Sequence, residues 1–182
     1  MKKLSYYPII KRYSDDNKRK CWQYLKNHNW GNRGKFDGNK EAQFVGLIGE
    51  TEAFKLLNGY YPDLYAKADG FDGGVDIFHN GQTIDVKTMA RTYRTWHTNV
   101  ANFSAYQVKS DCDVLLFCSI NKSSYQIEFC GWIYKVELKS KADFHKKGSV
   151  IPRGRSGNFK VISDLYEVKH TYLRNIRELL TI

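Results

Sequence analysis

Several features that would assign this chain to a familiar class are missing from its sequence. Its four cysteines, Cys21, Cys112, Cys118 and Cys130, contain no C-x-x-C pair, which argues against a zinc site. No apolar run approaches membrane-spanning length, and the N-terminus has no signal-peptide core. Internal repeats and a second domain are not evident either. We therefore expect a reduced, intracellular, cytoplasmic protein with no membrane partner.

The composition is that of a globular and strongly basic protein. The 182 residues are 42% apolar and 15% aromatic, which fits one domain with a real core. The net charge is +10 and the pI is near 9.4. Such a charge favours a polyanionic partner, most often nucleic acid. A merely basic soluble protein is the alternative, and charge alone does not exclude it.

Residues 1–40 form a basic, aromatic-rich extension before the remaining domain at 41–182, and the two are expected to make one structural unit. A short helix is predicted at 18–27 and a loop at 31–38. Aromatic rings among cations suit contact with nucleic acid by stacking and phosphate pairing. They suit packing on the domain equally well. We favour packing for the aromatic residues and leave the cations open.

The stretch V-D-I-F-H-N-G-Q-T-I-D-V-K-T, residues 75–88, predicts a β-hairpin. Asn-Gly is the strongest short-range hairpin signal, because a two-residue type I′ turn needs positive φ at both positions. With Asn80 and Gly81 as the loop, side-chain alternation places one apolar set on the same face of the hairpin. That set is Val75, Ile77, Ile84 and Val86.

The opposite face of this hairpin carries Asp76, Asp85 and Lys87. Asp76 is predicted to lie opposite Asp85, and like charges so placed are destabilising. A cation between them would relieve the repulsion, and close carboxylates suit Mg²⁺. Lys87 could then reach a substrate oxygen beside the metal. The alternative is the solvated face of an edge hairpin, because a D-x-K tripeptide alone carries little information.

Residues 41–58 predict a helix, with apolar side chains at three- and four-residue spacing and Gly59 as a stop. Glu50 falls three residues after Leu47 and four before Phe54, so we expect it on the core-facing stripe. A carboxylate there must be paired or must bind a metal. Glu52 is the weaker candidate, and a helix-edge Glu50 neutralised by a lysine is the alternative.

The second half of the chain predicts further strands and helices. They are a buried strand at 113–120, a partner strand at 125–134, a short helix at 136–143, a strand at 159–162 and a closing helix at 170–180. Between them, residues 145–160 predict a basic, glycine-containing loop that could follow phosphates. A solvated loop is the alternative.

Two sets of cations are the predicted nucleic-acid contacts. Arg91 and Arg94 follow closely after Lys87, together with Trp96 and His97. The second set lies in the basic loop and consists of Lys146, Lys147, Arg153, Arg155 and Lys160.

Three motifs together resemble the PD-(D/E)xK nuclease superfamily. They are G-E-T-E-A with Glu50 on a helix, Asp76 after Gly-Gly-Val, and Asp85-Val86-Lys87 on the following strand. The resemblance covers roughly residues 41–135, and the order of the motifs is its specific part. No proline precedes Asp76, where the family name would put one. The resemblance implies an α/β, restriction endonuclease-like fold, with a mixed central β-sheet flanked by helices.

The resemblance also implies roles for individual residues. Asp76, Asp85 and the Val86 carbonyl would bind Mg²⁺, for which Mn²⁺ could substitute, and Glu50 would bind it directly or through water. Lys87 would orient or help to deprotonate the attacking water, or stabilise the pentavalent phosphate. These roles agree with what metal-assisted phosphodiester hydrolysis requires.

The expected function is therefore that of a Mg²⁺-dependent endonuclease acting on DNA. A non-catalytic DNA-binding protein on the same fold and an RNA-directed nuclease are the alternatives. A homodimer would suit double-strand cleavage. A phage or viral nuclease acting in its host cell is compatible with the same resemblance.

Overall fold

The structure, a computed structural model, describes residues 6–27, 39–58, 74–154 and 157–182. At its centre is a five-stranded mixed β-sheet made of β1 Ile9–Arg12, β2 Ile77–His79, β3 Gln82–Arg91, β5 Val114–Asn121 and β6 Gln126–Tyr134. The strand order in this sheet is β1-β6-β5-β3-β2. β3 and β5 are parallel, whereas every other neighbouring pair is antiparallel. The protein is therefore of the α/β class with a mixed central sheet, as predicted.

One face of this sheet is covered by helices. They are α1 Asp15–Asn27, α2 Lys40–Leu57 and α4 Ile176–Leu179. Ile48 from α2, Val86 from β3 and Trp132 from β6 belong to the apolar cluster between the layers. Tyr13 is buried in the same cluster, and Trp22 stacks on Phe44 with ring centroids 4.5 Å apart. Packing therefore accounts for these two aromatic residues of the N-terminal stretch.

The other face of the central sheet is covered by a second sheet that the sequence did not predict. It consists of β4 Val100–Ser104, β7 Ala142–His145 and β10 Leu165–Lys169, in the antiparallel order β4-β10-β7. The short helix α3, Leu138–Lys141, lies on the same side. Phe103 of β4 and Phe117 of β5 are buried between the two sheets. The site described below lies partly on this side of β3.

Helix α1 begins at Asp15, three residues before its predicted start. The Ser14 side chain accounts for the difference, because its hydroxyl accepts a hydrogen bond from the Asn17 backbone N–H at 3.1 Å. A serine placed in this way satisfies one of the N–H groups that the first helical turn leaves without partners. The predicted loop at 31–38 lies outside the described residues.

The C-terminal predictions are less accurate. The predicted basic loop contains a two-stranded hairpin, β8 Val150–Pro152 and β9 Asn158–Lys160, and the predicted helix at 136–143 gives way to β7 at Ala142. The closing helix is wrong over most of its length. Arg174 exchanges backbone hydrogen bonds with Trp132, so the chain is extended there. This extended stretch separates a short 3-10 helix, His170–Tyr172, from α4. Within the described residues, no helix is long and apolar enough to cross a bilayer.

Candidate functional site

The hairpin that carries the acidic residues has the predicted register. Ile77 pairs with Ile84 and Phe78 with Thr83. Asn80 has φ 46° and Gly81 has φ 77°, the positive values that a type I′ turn requires. The sequence prediction of the turn and of the pairing from Ile77 to Ile84 is confirmed, whereas the predicted Asp76–Asp85 pair lies outside the paired residues.

Asp76 immediately precedes β2, the shorter strand of this hairpin. Its backbone N–H donates to the Ile84 carbonyl at 2.8 Å, and its Oδ2 accepts from the Val86 N–H at 2.6 Å. The Asp76 carboxylate thus accepts a hydrogen bond from β3 at a position where the backbone of a neighbouring strand would otherwise accept it. An extended residue presents its N–H and C=O towards the same neighbour, so Val86 directs its carbonyl to this edge as well.

Asp85 and Lys87 form a close ion pair on the face of β3 that meets the second sheet. Lys87 Nζ lies 2.6 Å from Asp85 Oδ1, with 20% of the lysine side chain and 1% of the aspartate side chain exposed. The Lys87 ammonium also lies 5.8 Å from the centroid of the Phe103 ring. The apolar wall on this side partly shields the ion pair from water, which strengthens its electrostatic interactions.

The predicted apolar face of the hairpin needs one correction. Ile77, Ile84 and Val86 belong to the helix-side core, as expected. Val75 packs instead on the opposite side, against the cluster between the two sheets. The strand begins only at Ile77, so the alternation of faces does not extend back to Val75.

The electrostatics of Lys87 connect all four predicted catalytic residues. Burial by itself would lower the pKa of Lys87, but the negative charges of Asp85, Asp76 and Glu50 raise it above its ordinary value. The ammonium is therefore charged at neutral pH. It also supplies part of the positive charge that we inferred from the repulsion between the two aspartates. That repulsion alone does not require a metal ion.

Helix α2 brings Glu50 to this edge of β3. The helix is capped by Asn39, whose side-chain oxygen accepts from the Ala42 N–H at 2.9 Å, and it ends at Asn58 in the left-handed conformation. Gly49 packs directly on Thr88 of β3, where even a Cβ would collide. The residue after Gly49 therefore lies close to the strand and contributes its charge to the site.

The phase of α2 differs from the predicted one. Glu52 is the more buried glutamate, with 6% of the residue exposed, and Glu50 lies half-buried at the margin of the packed face. Glu52 accepts a hydrogen bond of 2.5 Å from the Asn17 side chain and is 2.9 Å from Lys55 Nζ. Its carboxylate therefore joins α2 to α1, a contact that the sequence alone did not reveal.

The candidate ligands are chemically suited to a hard divalent ion. Asp76, Asp85, Glu50 and the Val86 carbonyl offer only oxygen donors, which Mg²⁺ prefers. Across the described ranges, no three His, Cys, Asp or Glu side chains are already gathered as a metal site. The donor set fits Mg²⁺ by its chemistry.

The two arginines after Lys87 have different surroundings. Arg91 Nη2 donates to the Val100 carbonyl at 2.6 Å and so fixes the connection between β3 and β4. Arg94 is exposed. Of this pair, Arg94 is the better candidate for a phosphate contact.

The cations of the predicted basic loop also differ, because some are exposed and one is engaged within the protein. Lys146, Lys147 and Lys160 are exposed. Arg153 makes an ion pair with Glu167, which is buried in the second sheet, and lies 5.3 Å from the Phe159 ring centroid. Its charge is thus engaged within the protein. Arg155 lies outside the described residues.

Two buried acidic residues, Glu167 and Glu128, escaped the sequence analysis. Glu128 lies within the apolar strand β6 and accepts hydrogen bonds from the backbone N–H and the hydroxyl of Thr95. A glutamate within an apolar strand requires a partner, and this signal was present in the sequence. The partner lies 33 residues away, so the sequence could not identify it.

No protein-family model matches the sequence, and a comparison with curated proteins gives no match. The interpretation of this site therefore depends on the positions and chemistry of its own residues.

Proposed function

We propose that this protein is a Mg²⁺-dependent endonuclease that hydrolyses phosphodiester bonds in DNA, with a restriction endonuclease-like fold. The observation that carries the proposal is the arrangement around β3. The Asp76 carboxylate bonds to the Val86 N–H, and the Asp85–Lys87 ion pair follows on the same strand. Glu50 and both aspartates raise the pKa of that lysine. Glu50 of α2 and the two aspartates of the hairpin thus interact electrostatically with Lys87.

The topology around the site supports the proposed fold. A helix bearing a glutamate precedes an antiparallel hairpin bearing the two aspartates, and the longer hairpin strand pairs in parallel with β5. The PD-(D/E)xK resemblance implies this order of elements and a mixed sheet.

The proposed metal site uses Asp76, Asp85 and the Val86 carbonyl, with Glu50 acting directly or through water. Bound Mg²⁺ lowers the pKa of water and offsets negative charge on the phosphoryl oxygens. Lys87 contributes a fixed positive charge where negative charge grows on the phosphate during the reaction. Its ammonium lies 2.6 Å from Asp85 Oδ1, so this charge stands beside the proposed metal ligands.

The charge of the protein supports a polyanionic substrate. The net charge is +10, and residues 86–110 contain no acidic side chain. Arg94, Lys146, Lys147 and Lys160 are exposed and can pair with phosphates. The enzyme would act inside a cell, and a homodimer would present two sites to the two strands of a duplex.

The test is cleavage of supercoiled plasmid with Mg²⁺ and with EDTA, and with RNA of matched length as a second substrate. We expect Mg²⁺-dependent nicking of DNA by the wild-type protein and a fall of at least about 100-fold in Asp85→Asn. Asp111→Asn, which changes an exposed carboxylate outside the site, is the matched control. DNA cleavage by folded Asp85→Asn at the wild-type rate would refute the assignment, and cleavage of RNA alone would change the substrate.

A second variant separates metal binding from catalysis. Lys87→Met should lower the cleavage rate strongly while Mg²⁺ or Mn²⁺ still binds, because an ammonium cannot be a metal ligand. Calorimetric titration of the folded variant with Mn²⁺ measures this directly. Loss of Mn²⁺ binding in folded Lys87→Met would contradict the role that we give to the lysine.

A further inference from the structure

The strand that carries Asp85 and Lys87 leads into a turn that presents two aromatic rings to solvent. We call residues 92–99 the aromatic turn. Tyr93 is 51% exposed and Trp96 is 63% exposed, and the neighbouring Arg94 and His97 are also exposed. Large aromatic side chains held outside the core are typical of contact surfaces, since each leaves apolar area in water.

The aromatic turn is anchored by a buried residue between its two rings. Thr95 is buried, and its backbone N–H donates to Glu128 Oε2 at 2.9 Å. Its hydroxyl donates to the same oxygen and lies 2.6 Å from the Tyr6 hydroxyl. This anchor holds the turn on the central sheet while the side chains on either side of it face outward.

Asn99 fixes the second half of the turn. Its side-chain oxygen accepts from the Trp96 N–H at 2.7 Å, and its own N–H donates to the Trp96 carbonyl at 3.0 Å. The Asn99 carbonyl accepts from the His170 N–H at 2.9 Å. The backbone on both sides of Trp96 is therefore held before any ligand binds. Less conformational entropy of the turn is then lost on binding.

The charges around the turn select the kind of ligand. Arg94 is exposed between the two rings, Arg91 lies 6.0 Å from the centroid of the Tyr93 ring, and residues 86–110 contain no acidic residue. Exposed rings beside cations fit an unpaired nucleic-acid strand, because each base stacks on a ring while its phosphate pairs with a cation. Paired bases inside a duplex do not offer their faces for such stacking.

The aromatic turn lies near the candidate active site. Its anchor Glu128 pairs with Ser119, and Ser119 pairs with Met89, two residues beyond Lys87. Two strand spacings across and two residues along place the backbones of Glu128 and Lys87 roughly 12 Å apart. This distance corresponds to a few nucleotides of a single strand, since stacked bases are about 3.4 Å apart and an unstacked strand is longer per nucleotide.

We propose that the aromatic turn binds unpaired bases of DNA a few nucleotides from the scissile phosphate, with Tyr93 and Trp96 as stacking platforms. The substrate would then contain a single-stranded segment next to the cut. The cutting step rests on the proposed nuclease function, whereas the binding of unpaired bases is measured without cleavage.

The experiment compares three fluorescent ligands of equal length by polarisation, with Ca²⁺ in place of Mg²⁺ to suppress cutting. They are an oligothymidine strand, a strand of abasic nucleotides and a duplex. We expect the wild-type protein to bind the thymidine strand about fivefold or more tightly than the abasic strand, which keeps the phosphates but has no bases. The double variant Tyr93→Ala with Trp96→Ala should bind both single strands alike.

Two further variants make the test specific. The Tyr93→Phe with Trp96→Phe protein should keep most of the preference, since phenylalanine retains a stacking face. Tyr106→Ala removes an exposed aromatic residue outside the turn and should keep the full preference. The salt dependence of binding should be unchanged in the double alanine variant, because no phosphate contact is removed.

Equal affinity of the wild-type protein for the thymidine and abasic strands would overturn the inference. So would an unchanged preference in the double alanine variant. A failure of Mg²⁺-dependent cleavage with the thymidine preference intact would instead count against the nuclease proposal and leave the base-binding turn in place.

Discussion

Gly49 of α2 packs against Thr88 of β3 so closely that a Cβ on the glycine would lie 1.8 Å from the threonine Oγ1 and 2.8 Å from its Cβ. No side chain larger than hydrogen fits this contact without movement of the helix or the strand. The same contact sets the distance of the next residue, Glu50, from the edge of β3. A glycine on the buried face of the helix thus acts on the geometry of the candidate site.

We expect Gly49→Ala to lower the free energy of unfolding by about 2 kcal/mol, as overpacking of a tight contact does. Because the helix must move away from β3, cleavage should fall as well. Gly46→Ala in the same helix is the matched control, since its nearest neighbour would lie at 3.8 Å. That change should be neutral or stabilising by up to about 1 kcal/mol. Urea unfolding of both variants measures the difference, and equal stability would contradict the contact.

Changes at Glu50 and at Glu52 of α2 should affect activity and stability separately. Glu50→Gln should reduce Mg²⁺-dependent cleavage by at least about tenfold with little change in unfolding. Glu52→Gln should keep activity but lower stability by about 1.5 kcal/mol, since it weakens charged hydrogen bonds to Asn17 and Lys55. Cleavage at saturating Mg²⁺ and urea unfolding are measured on the same preparations. A greater reduction of activity in Glu52→Gln would show that the wrong glutamate has been assigned to the site.

The cations of the predicted basic loop should differ in their effect on DNA binding. Lys146, Lys147 and Lys160 are exposed, and an alanine change at a lysine that pairs with a phosphate should reduce the salt slope by roughly 0.9. The slope is the fall of log K with log salt for a duplex, measured by polarisation with Ca²⁺. An unchanged slope in the triple variant would show that these lysines do not meet the DNA.

Arg153 is the internal control for that series. Its ion pair with the buried Glu167 should make Arg153→Ala destabilising by about 2 kcal/mol, because a buried carboxylate is left without this partner. The salt slope should stay at the wild-type value, as the guanidinium is engaged within the protein. A reduced salt slope with unchanged stability in Arg153→Ala would show that Arg153 contacts the DNA and is not held by Glu167.

His170 should make the stability depend on pH. Burial, with a contribution from the positive charge of Arg91, lowers the pKa of His170 from 6.5 to about 4. Between these two values the unfolded chain binds a proton that the folded protein does not. The free energy of unfolding should therefore decrease as the pH falls through this window, by up to about 1.4 kcal/mol per pH unit. Above pH 6.5 this contribution is fully present.

His170→Gln keeps a polar side chain near the Tyr6 hydroxyl and removes the titrating group. Urea unfolding from about pH 7.5 to about pH 4 should show a shallower decrease of stability in this variant than in the wild-type protein. Parallel curves for the two proteins would mean that the buried imidazole does not titrate in this window.

The elements with strong local signals were predicted well. The Asn80–Gly81 turn fixes its own pairing through backbone conformation, so the hairpin register followed from a dipeptide. The apolar runs of β5 and β6 likewise placed both strands to within a residue or so. In each case the decisive interaction lies within a short stretch of chain.

Elements set by distant contacts were missed. The predicted helix at 170–180 is interrupted by an extended stretch because Arg174 pairs with Trp132 of β6, which is far away along the chain. The phase of α2 was misjudged because α1 packs on it and buries Glu52. Neither partner can be found from local periodicity, which records only that a residue prefers burial.

The sequence by itself determined which chemical groups are present: a basic chain, a hairpin with Asp85 and Lys87 on one face, and a helix with Glu50 and Glu52. Composition, turn preference and side-chain alternation are local properties, and they suffice for these statements. Only the tertiary structure showed that Glu52 is buried against Asn17 of α1 while Glu50 stays half-buried, and that Arg153 is neutralised by Glu167. Such choices depend on which surfaces pack together, since packing determines the distances between charges and their exposure to water.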